Sequence, residues 1–252
     1  ASVLAGLGQS TYYQTQFALS TAIVPLRFRS VSAAIINSGQ AVGISLGLLI
    51  ASFFALEVGG GWRMPFIALA LPTALVGVAF WAFIREPKGA GRPGATPAAA
   101  PPTYAAGATT PWSRNHVLIY VLNFCSLYGF FVILTWLPYY LQTARGYDGM
   151  AVGWVSSLVP WMAVPGGLFA SWLSDRLQLR REVGLWMLPV AGLSLAAIPF
   201  IESHVGLVIA LLLYGMAGKL ALDPVVIALV ADITDRSAYG TVFGALNFAG
   251  MS

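Results

Sequence analysis

Seven long apolar segments constrain this chain more than any other feature of its sequence. Each is close to the ~20 residues that an α-helix needs to cross the hydrocarbon core of a bilayer. They lie at about residues 2–24, 31–56, 62–84, 115–141, 148–173, 183–202 and 205–231, and an eighth begins near Ala238. Only 9% of the residues are charged, against about 25% in soluble domains. The sequence therefore predicts an all-α, multi-pass membrane protein, and we expect the chain to be a fragment cut within a span at each end.

The basic residues predict how the segments are oriented. Ten of the 13 Lys and Arg lie in connections on one side of the membrane: Arg27, Arg29, Arg85, Lys88, Arg92, Arg114, Arg176, Arg180, Arg181 and Arg236. The opposite side has Arg63 and Arg145. Because Lys and Arg stay preferentially on the cytoplasmic side, we expect the arginine-rich loops to be cytoplasmic in a cell (inner) membrane. The net charge of +4 is thus explained by topology, and no nucleic-acid partner is expected.

A segment rich in Pro, Gly and Ala separates three spans from four and the start of a fifth. It predicts a flexible cytoplasmic linker at 85–113, between an N-terminal half at 1–84 and a C-terminal half at 114–252. A shift of 210 residues aligns RSVSAAIINSG (29–39) with YGTVFGALNFA (239–249), placing Asn37 on Asn247. This internal repeat predicts two pseudo-symmetric halves.

Five short motifs, in this order, carry a family resemblance: LAGLGQS (4–10), GWRMPF (61–66), REP (85–87), TWLPYYLQ (135–142) and SWLSDRLQLRR (171–181). Together they resemble the major facilitator superfamily of secondary transporters. The resemblance implies a helical bundle with two six-helix halves around a central cavity. This chain would then cover the fourth helix to the start of the eleventh, truncated at both ends.

The loop that resembles the family's signature motif contains the Asp175–Arg176 pair. A carboxylate at the end of one helix can contact the N-terminus of a neighbouring helix or its arginine. We therefore expect Asp175 and Arg176 to act as a conformational latch. For Arg180 and Arg181 the favoured interpretation is a solvated loop whose charges only fix topology.

The segment YGMAGKLALDPVVIALVAD (214–232) places charges inside a membrane span. Lys219 and Asp223 are four residues apart and share one helix face. A lone charge at mid-bilayer costs ~3 kcal/mol on insertion scales, so both should face the protein interior. Pro224 has no N–H, which leaves the Leu220 carbonyl without its helical partner, and its ring strains that turn. We expect the irregular turn at Pro224 to line a cavity or to be buried in protein. We expect Lys219 to bind an anionic substrate group and Asp223 to serve as its counter-ion or as a proton carrier. A permanent ion pair that holds helices together is the structural alternative.

Further polar side chains could line the same cavity. Gln9, Tyr13 and Gln16 form one stripe on the first span, and the 210-residue shift places Lys219 on Gln9 and Asp223 on Tyr13. Asn37 on the second span and Tyr128 on the fourth are further substrate-binding candidates. In contrast, Gly39, Gly43 and Gly47 predict a close-packing face.

The leading functional hypothesis is secondary transport of a small polar or anionic solute by alternating access, with coupling to protons left open. A drug/proton antiporter of the same fold is one alternative. A seven-helix receptor or retinal photoreceptor, suggested by the lone Lys219, is another. No clustered His, Cys or paired carboxylates favour an enzyme, and we expect no cofactor and no metal. The expected partners are a small-molecule substrate, the lipid bilayer and, in the coupled case, protons, with a monomer as the working unit.

Overall fold

The structure, a computed structural model, describes residues 24–25, 28–59, 61, 63–83, 112–235 and 238–251. All regular elements in these ranges are helical. The α-helices are α1 (Arg29–Ser52), α2 (Met64–Phe83), α3 (Arg114–Arg145), α4 (Met150–Leu177), α5 (Arg180–Ala197), α6 (His204–Ala217), α7 (Lys219–Ile233) and α8 (Tyr239–Met251). A π-helical turn at Phe53–Glu57 continues α1, and a 3₁₀ turn at Ile198–Phe200 continues α5.

Most of these helices have the length and composition of membrane spans. Five stretches are long and apolar enough to cross a bilayer: Arg29–Ala55, Arg114–Arg145, Met150–Leu177, Arg180–Phe200 and His204–Ile233. Met64–Ala79 is a shorter apolar helix. The prediction of an all-α membrane protein is thereby confirmed. The first predicted span, at 2–24, lies outside the described residues.

Helix α1 packs against α4 more extensively than any other pair of described helices, and the two run antiparallel. Near the end of α1, Ser52 lies directly over Gly153 on α4, where a Cβ atom would meet the serine side chain at 2.7 Å. This pair joins the predicted N-terminal half to the predicted C-terminal half, so any movement between the halves changes this interface.

Helix α7 forms the centre of the described bundle. It packs against α1, α4 and α5, and twelve of its 15 residues are buried. Its approach to α4 depends on Gly167, whose missing side chain leaves the Ala221 Cα only 3.3 Å from where a Cβ would lie. Gly166 likewise faces the Met216 backbone of α6. A charged residue on α7 is therefore surrounded by protein on several sides.

The predicted close-packing row of Gly39, Gly43 and Gly47 does not make such contacts within the described part of the chain. No described atom lies within 4 Å of a Cβ built on any of the three. Close glycine contacts between described helices occur instead on α4, α6 and α8. Gly215 faces the Val159 carbonyl at 2.6 Å, and Gly250 faces the Asn123 side chain at 2.6 Å.

The start of α3 is fixed to the end of α7 by a chain of side-chain hydrogen bonds. His116 is buried, with one ring nitrogen 2.7 Å from Ser113 Oγ and the other 2.9 Å from Thr234 Oγ1. The contact joins residues that are 118 positions apart. The contact places the start of α3 beside the C-terminal end of α7. Asp232 at that end of α7 also contacts Arg29, the first residue of α1.

Candidate functional site

The long apolar stretch His204–Ile233 is broken at Gly218. Helix α6 ends at Ala217 and α7 begins at Lys219, with Gly218 between them in an extended conformation (φ −76°, ψ −169°). A Cβ at this position would lie 2.5 Å from the Tyr214 carbonyl oxygen and 3.2 Å from its ring. The sequence prediction placed the irregular turn at Pro224. This was wrong, because Pro224 lies inside α7 and the helix breaks at the glycine.

Pro224 still has the predicted effect on the Leu220 carbonyl. The proline cannot donate to it, and the carbonyl accepts a hydrogen bond of 3.1 Å from Asn37 Nδ2 on α1 instead. Asn37 is itself buried. The polar group that the proline leaves without a partner in α7 is therefore satisfied by a side chain from the other predicted half.

Lys219 and Asp223 form a buried ion pair at the start of α7. Their residues are 5% and 6% exposed, and Lys219 Nζ donates to Asp223 Oδ1. An ammonium group has three N–H donors, and among the described residues Asp223 is the one partner seen for it. Within the described part of the chain, two of its donors are thus left for a further acceptor.

The Lys219 side chain borders a cleft of about 160 Å³ between α3, α5, α6 and α7. Ser126 and Gly129 line it from α3, and Tyr214 from α6. All described lining residues come from the predicted C-terminal half. Gln9, Tyr13 and Gln16, which were predicted to line the opposite wall, lie outside the described residues, so their role stays a prediction.

The structure separates the remaining substrate-binding candidates. Asn37 approaches α7 close to Lys219 but uses its amide on the Leu220 carbonyl. Tyr128 lies on α3 with 67% of its surface exposed. The described contacts therefore bring Asn37, Lys219 and Asp223 together and leave Tyr128 apart from them.

Asp175, at the end of α4, contacts the N-terminus of α1. Its carboxylate accepts hydrogen bonds from the backbone N–H groups of Val31 (3.0 Å) and Ser30 (3.4 Å). The free N–H groups and the dipole of a helix N-terminus favour a negative charge there. The contact crosses between residues 145 positions apart.

Asp175 belongs to a larger charged group, here called the Asp175 cluster, which comprises Arg29, Ser30, Asp175, Arg180 and Asp232. Arg180 lies 2.8 Å from Asp175 through Nη1 and 2.5 Å from Asp232 through Nε, and also donates to Ser30 Oγ. Arg29 lies 3.2 Å from Asp232. Acidic and basic groups alternate, so the cluster joins α1, α4, α5 and α7 without an uncompensated charge.

These contacts correct the interpretation of Arg180, whereas the latch role of Arg176 stays a prediction. Arg180 was interpreted as a solvated topology charge, but it is 5% exposed and paired with two carboxylates. Arg176, expected beside Asp175 in the latch, is exposed, with its guanidinium 5.2 Å from the centre of the Trp172 ring. The side chain of Arg176 points along α4, whereas Arg180 begins α5 and faces α1.

Arg29 and Asp232 were not among the candidates. Arg29 was counted only as a topology charge, and Asp232 lies at the end of an apolar run, where a carboxylate is unremarkable. One signal was present: both residues border spans on the side of the membrane that the basic residues already indicated. In the described ranges, no group of three or more His, Cys, Asp and Glu residues is arranged to hold a metal ion.

Membrane-length helices packed around a buried ion pair and a helix break are typical of helical membrane transporters. Residues 1–252 match the Major Facilitator Superfamily, and the chain belongs to that family. The predicted family resemblance is confirmed.

Several curated relatives are transporters. The chain is 24% identical over 148 residues to the glycerol-3-phosphate transporter of Bacillus subtilis, covering 54% of this chain and 32% of that protein. It is 38% identical over 79 residues to a probable sulfoacetate transporter of Cupriavidus necator (30% and 18%). It is 28% identical over 120 residues to the phosphoglycerate transporter protein of Salmonella typhimurium (47% and 26%). The matched regions thus span a third or less of these relatives. No solved structure matches.

Family membership decides between the broad functional classes. The chain belongs to a family whose relatives named above are transporters, and the seven-helix receptor or photoreceptor alternative is not supported.

Proposed function

We propose that this chain is part of a secondary transporter that moves a small organic anion across the membrane by alternating access. The observation that carries the proposal is the buried Lys219 ammonium beside the break at Gly218. It donates to one described partner, Asp223, and has two further N–H donors. A cation at this depth is costly, and binding an anion would offset part of that cost.

The names of the relatives support an anionic substrate. Glycerol 3-phosphate, sulfoacetate and phosphoglycerate each combine a small carbon skeleton with a phosphate or sulfonate group. Such groups present several acceptor oxygens to an ammonium or guanidinium donor. We infer that this chain transports a molecule of the same chemical class.

Asp223 has a defined part in this proposal. While the site is empty, its carboxylate compensates the Lys219 charge within the same helix face. When an anion binds Lys219, the two negative groups compete for one ammonium, which favours protonation of Asp223. Binding would in this way couple to uptake of a proton, and Asp223 would be its carrier.

The Asp175 cluster supplies the element that changes between states. We propose that it closes the cytoplasmic end of the interface between α1 and α4 and opens when the halves rotate. Asp175 would be the acceptor of this latch, and Arg180, rather than Arg176, its cationic partner.

Uptake into reconstituted vesicles tests the proposal. Glycerol 3-phosphate, phosphoglycerate and sulfoacetate are compared with glycerol, glucose and a cationic dye, for the unaltered protein and for Lys219→Met. We expect uptake of at least one anion and its loss in Lys219→Met while the protein still folds. Lys88→Met, in the predicted linker, removes the other lysine of the chain and is the matched control.

The possible results separate the alternatives. Full anion transport by Lys219→Met would exclude the substrate role of Lys219. Transport of the dye, driven by a proton gradient and without anion transport, would favour the drug/proton antiporter.

A further inference from the structure

A second carboxylate, Glu57, makes the same kind of contact as Asp175 at the opposite end of α1 and α4. Glu57 ends the π-helical turn that continues α1, and its Oε1 accepts a hydrogen bond of 2.9 Å from the backbone N–H of Met150. Met150 is the first residue of α4. The carboxylate therefore lies at the N-terminus of α4, where its charge is favoured by the helix dipole.

Gly149 makes room for this contact. It precedes α4 with φ +52° and ψ −130°, in a region of backbone space that essentially only glycine adopts. A Cβ at residue 149 would clash with Glu57 Oε1. The backbone conformation of Gly149 and its lack of a side chain thus both allow the Glu57 carboxylate to bind at the start of α4.

The two contacts are reciprocal. The carboxylate at the end of α4, Asp175, lies on the N-terminus of α1, and the carboxylate at the end of the continued α1, Glu57, lies on the N-terminus of α4. Because the helices are antiparallel, the contacts are at opposite ends of one interface. Both are closed in this structure.

The interface between these ends contains polar groups that lack partners. Ser171 lies 18 residues after Gly153, which is about five helical turns and therefore the same face of α4, and Ser174 adjoins Asp175. Among the described residues, the hydroxyls of both serines are buried without a hydrogen-bond partner. Buried unpaired hydroxyls are unfavourable, so hydration of the Asp175 end of the interface would regain hydrogen bonds.

We propose that Glu57 is a second latch, which closes the end of the interface opposite to the Asp175 cluster. The inference rests on the proposed alternating access. Opening at the Glu57 end must break the contact with Met150, and opening at the Asp175 end must break the contact with Val31. The two carboxylates therefore favour opposite conformations of the transporter.

Distances between spin labels at each end of the bundle test this proposal in the intact transporter reconstituted in lipid. With Cys125→Ser as background, one label pair replaces Met64 and Gln142 at the Glu57 end. A second pair replaces Phe83 and Trp112 at the Asp175 end. All four positions are exposed.

Glu57→Ala should increase the ratio of open to closed molecules at the Glu57 end by about twofold to fivefold, the effect of one carboxylate at a helix N-terminus. It should leave the Asp175 end closed. Asp175→Asn should instead increase the open fraction at the Asp175 end and leave the Glu57 end closed. Gly149→Ala retains the Glu57 carboxylate, but its added methyl group displaces the carboxylate from the start of α4. This variant should therefore reproduce the effect of Glu57→Ala. Glu202→Ala, an exposed carboxylate between α5 and α6, is the matched control and should change neither ratio.

Three outcomes would overturn the second latch. The first is that Glu57→Ala and Gly149→Ala both match Glu202→Ala. The second is that both open the two ends together, as loss of a purely structural contact would. A single distance population at both ends in every variant would instead refute alternating access itself, and the latch with it. If two distance populations are present but their ratio does not change in Glu57→Ala, alternating access stands and only the second latch is refuted.

Discussion

At the scale of single residues, the spacing of Lys219 and Asp223 was sufficient to predict their contact, because residues four apart on a helix are neighbours. The role of Arg180 could not be predicted in this way. Besides Asp175, its partners include Ser30, 150 positions away, and Asp232, 52 positions away, and the packing of several helices brings them together. In the sequence, Arg180 is one of several arginines in a loop, and nothing local distinguishes it from Arg181.

A double substitution distinguishes a substrate site from an ion pair that only holds the helix. Asp223→Asn should destabilise the protein by about 3–5 kcal/mol, because it leaves the Lys219 charge buried without its partner. Adding Lys219→Met should recover most of that stability, as measured by thermal unfolding in detergent. Anion uptake should stay absent in the double variant. Recovery of uptake together with stability would show that the pair is structural.

At the scale of elements, hydropathy predicted the spans well because each must supply ~20 apolar residues. The predicted segment at 115–141, for example, lies within α3 (Arg114–Arg145). The break in the last long span was misplaced for a physical reason. Proline is the strongest sequence signal of an irregular helix. A single glycine within an apolar run is a weaker signal, and the non-helical backbone of Gly218 is seen only in the structure.

Gly218→Ala tests the cause of this break. The added methyl would press on the Tyr214 carbonyl and ring, so we expect a loss of about 1–3 kcal/mol of stability, visible as a lower melting temperature. Gly77→Ala on α2 is the control, since no described atom lies within 4 Å of its Cβ. It should be neutral or slightly stabilising because alanine favours the helix. Equal melting temperatures for the two variants would contradict the steric explanation.

At the scale of the whole molecule, positively charged loops and a repeat of 210 residues predicted two halves, but not how one half contacts the other. The contact consists of small residues along α1 and α4 with charged groups at the ends. Such surfaces have weak sequence signals, because serine, alanine and glycine occur on many helices. The Asp175 cluster could be assigned to this interface only once both helices were positioned.

Arg180→Ala should disrupt closure at the Asp175 end, because it leaves Asp175 and Asp232 without their shared cation. We expect anion uptake to fall more than about tenfold, the scale of one buried charge pair. Arg181→Ala, the adjacent exposed arginine, should change uptake less than about twofold, as expected for a surface charge. Equal effects of the two substitutions would restore the original interpretation of Arg180 as a topology charge.

Under the proposed alternating access, the hydrogen bond from Asn37 to the Leu220 carbonyl would give the proline in α7 a role in the timing of hydration. Leu220 lies next to Lys219, and its carbonyl accepts this hydrogen bond from a side chain of the other predicted half. If the halves separate, this oxygen must exchange an amide for water in each cycle. Hydration would then arrive beside the lysine at the moment when a solute has to enter or leave.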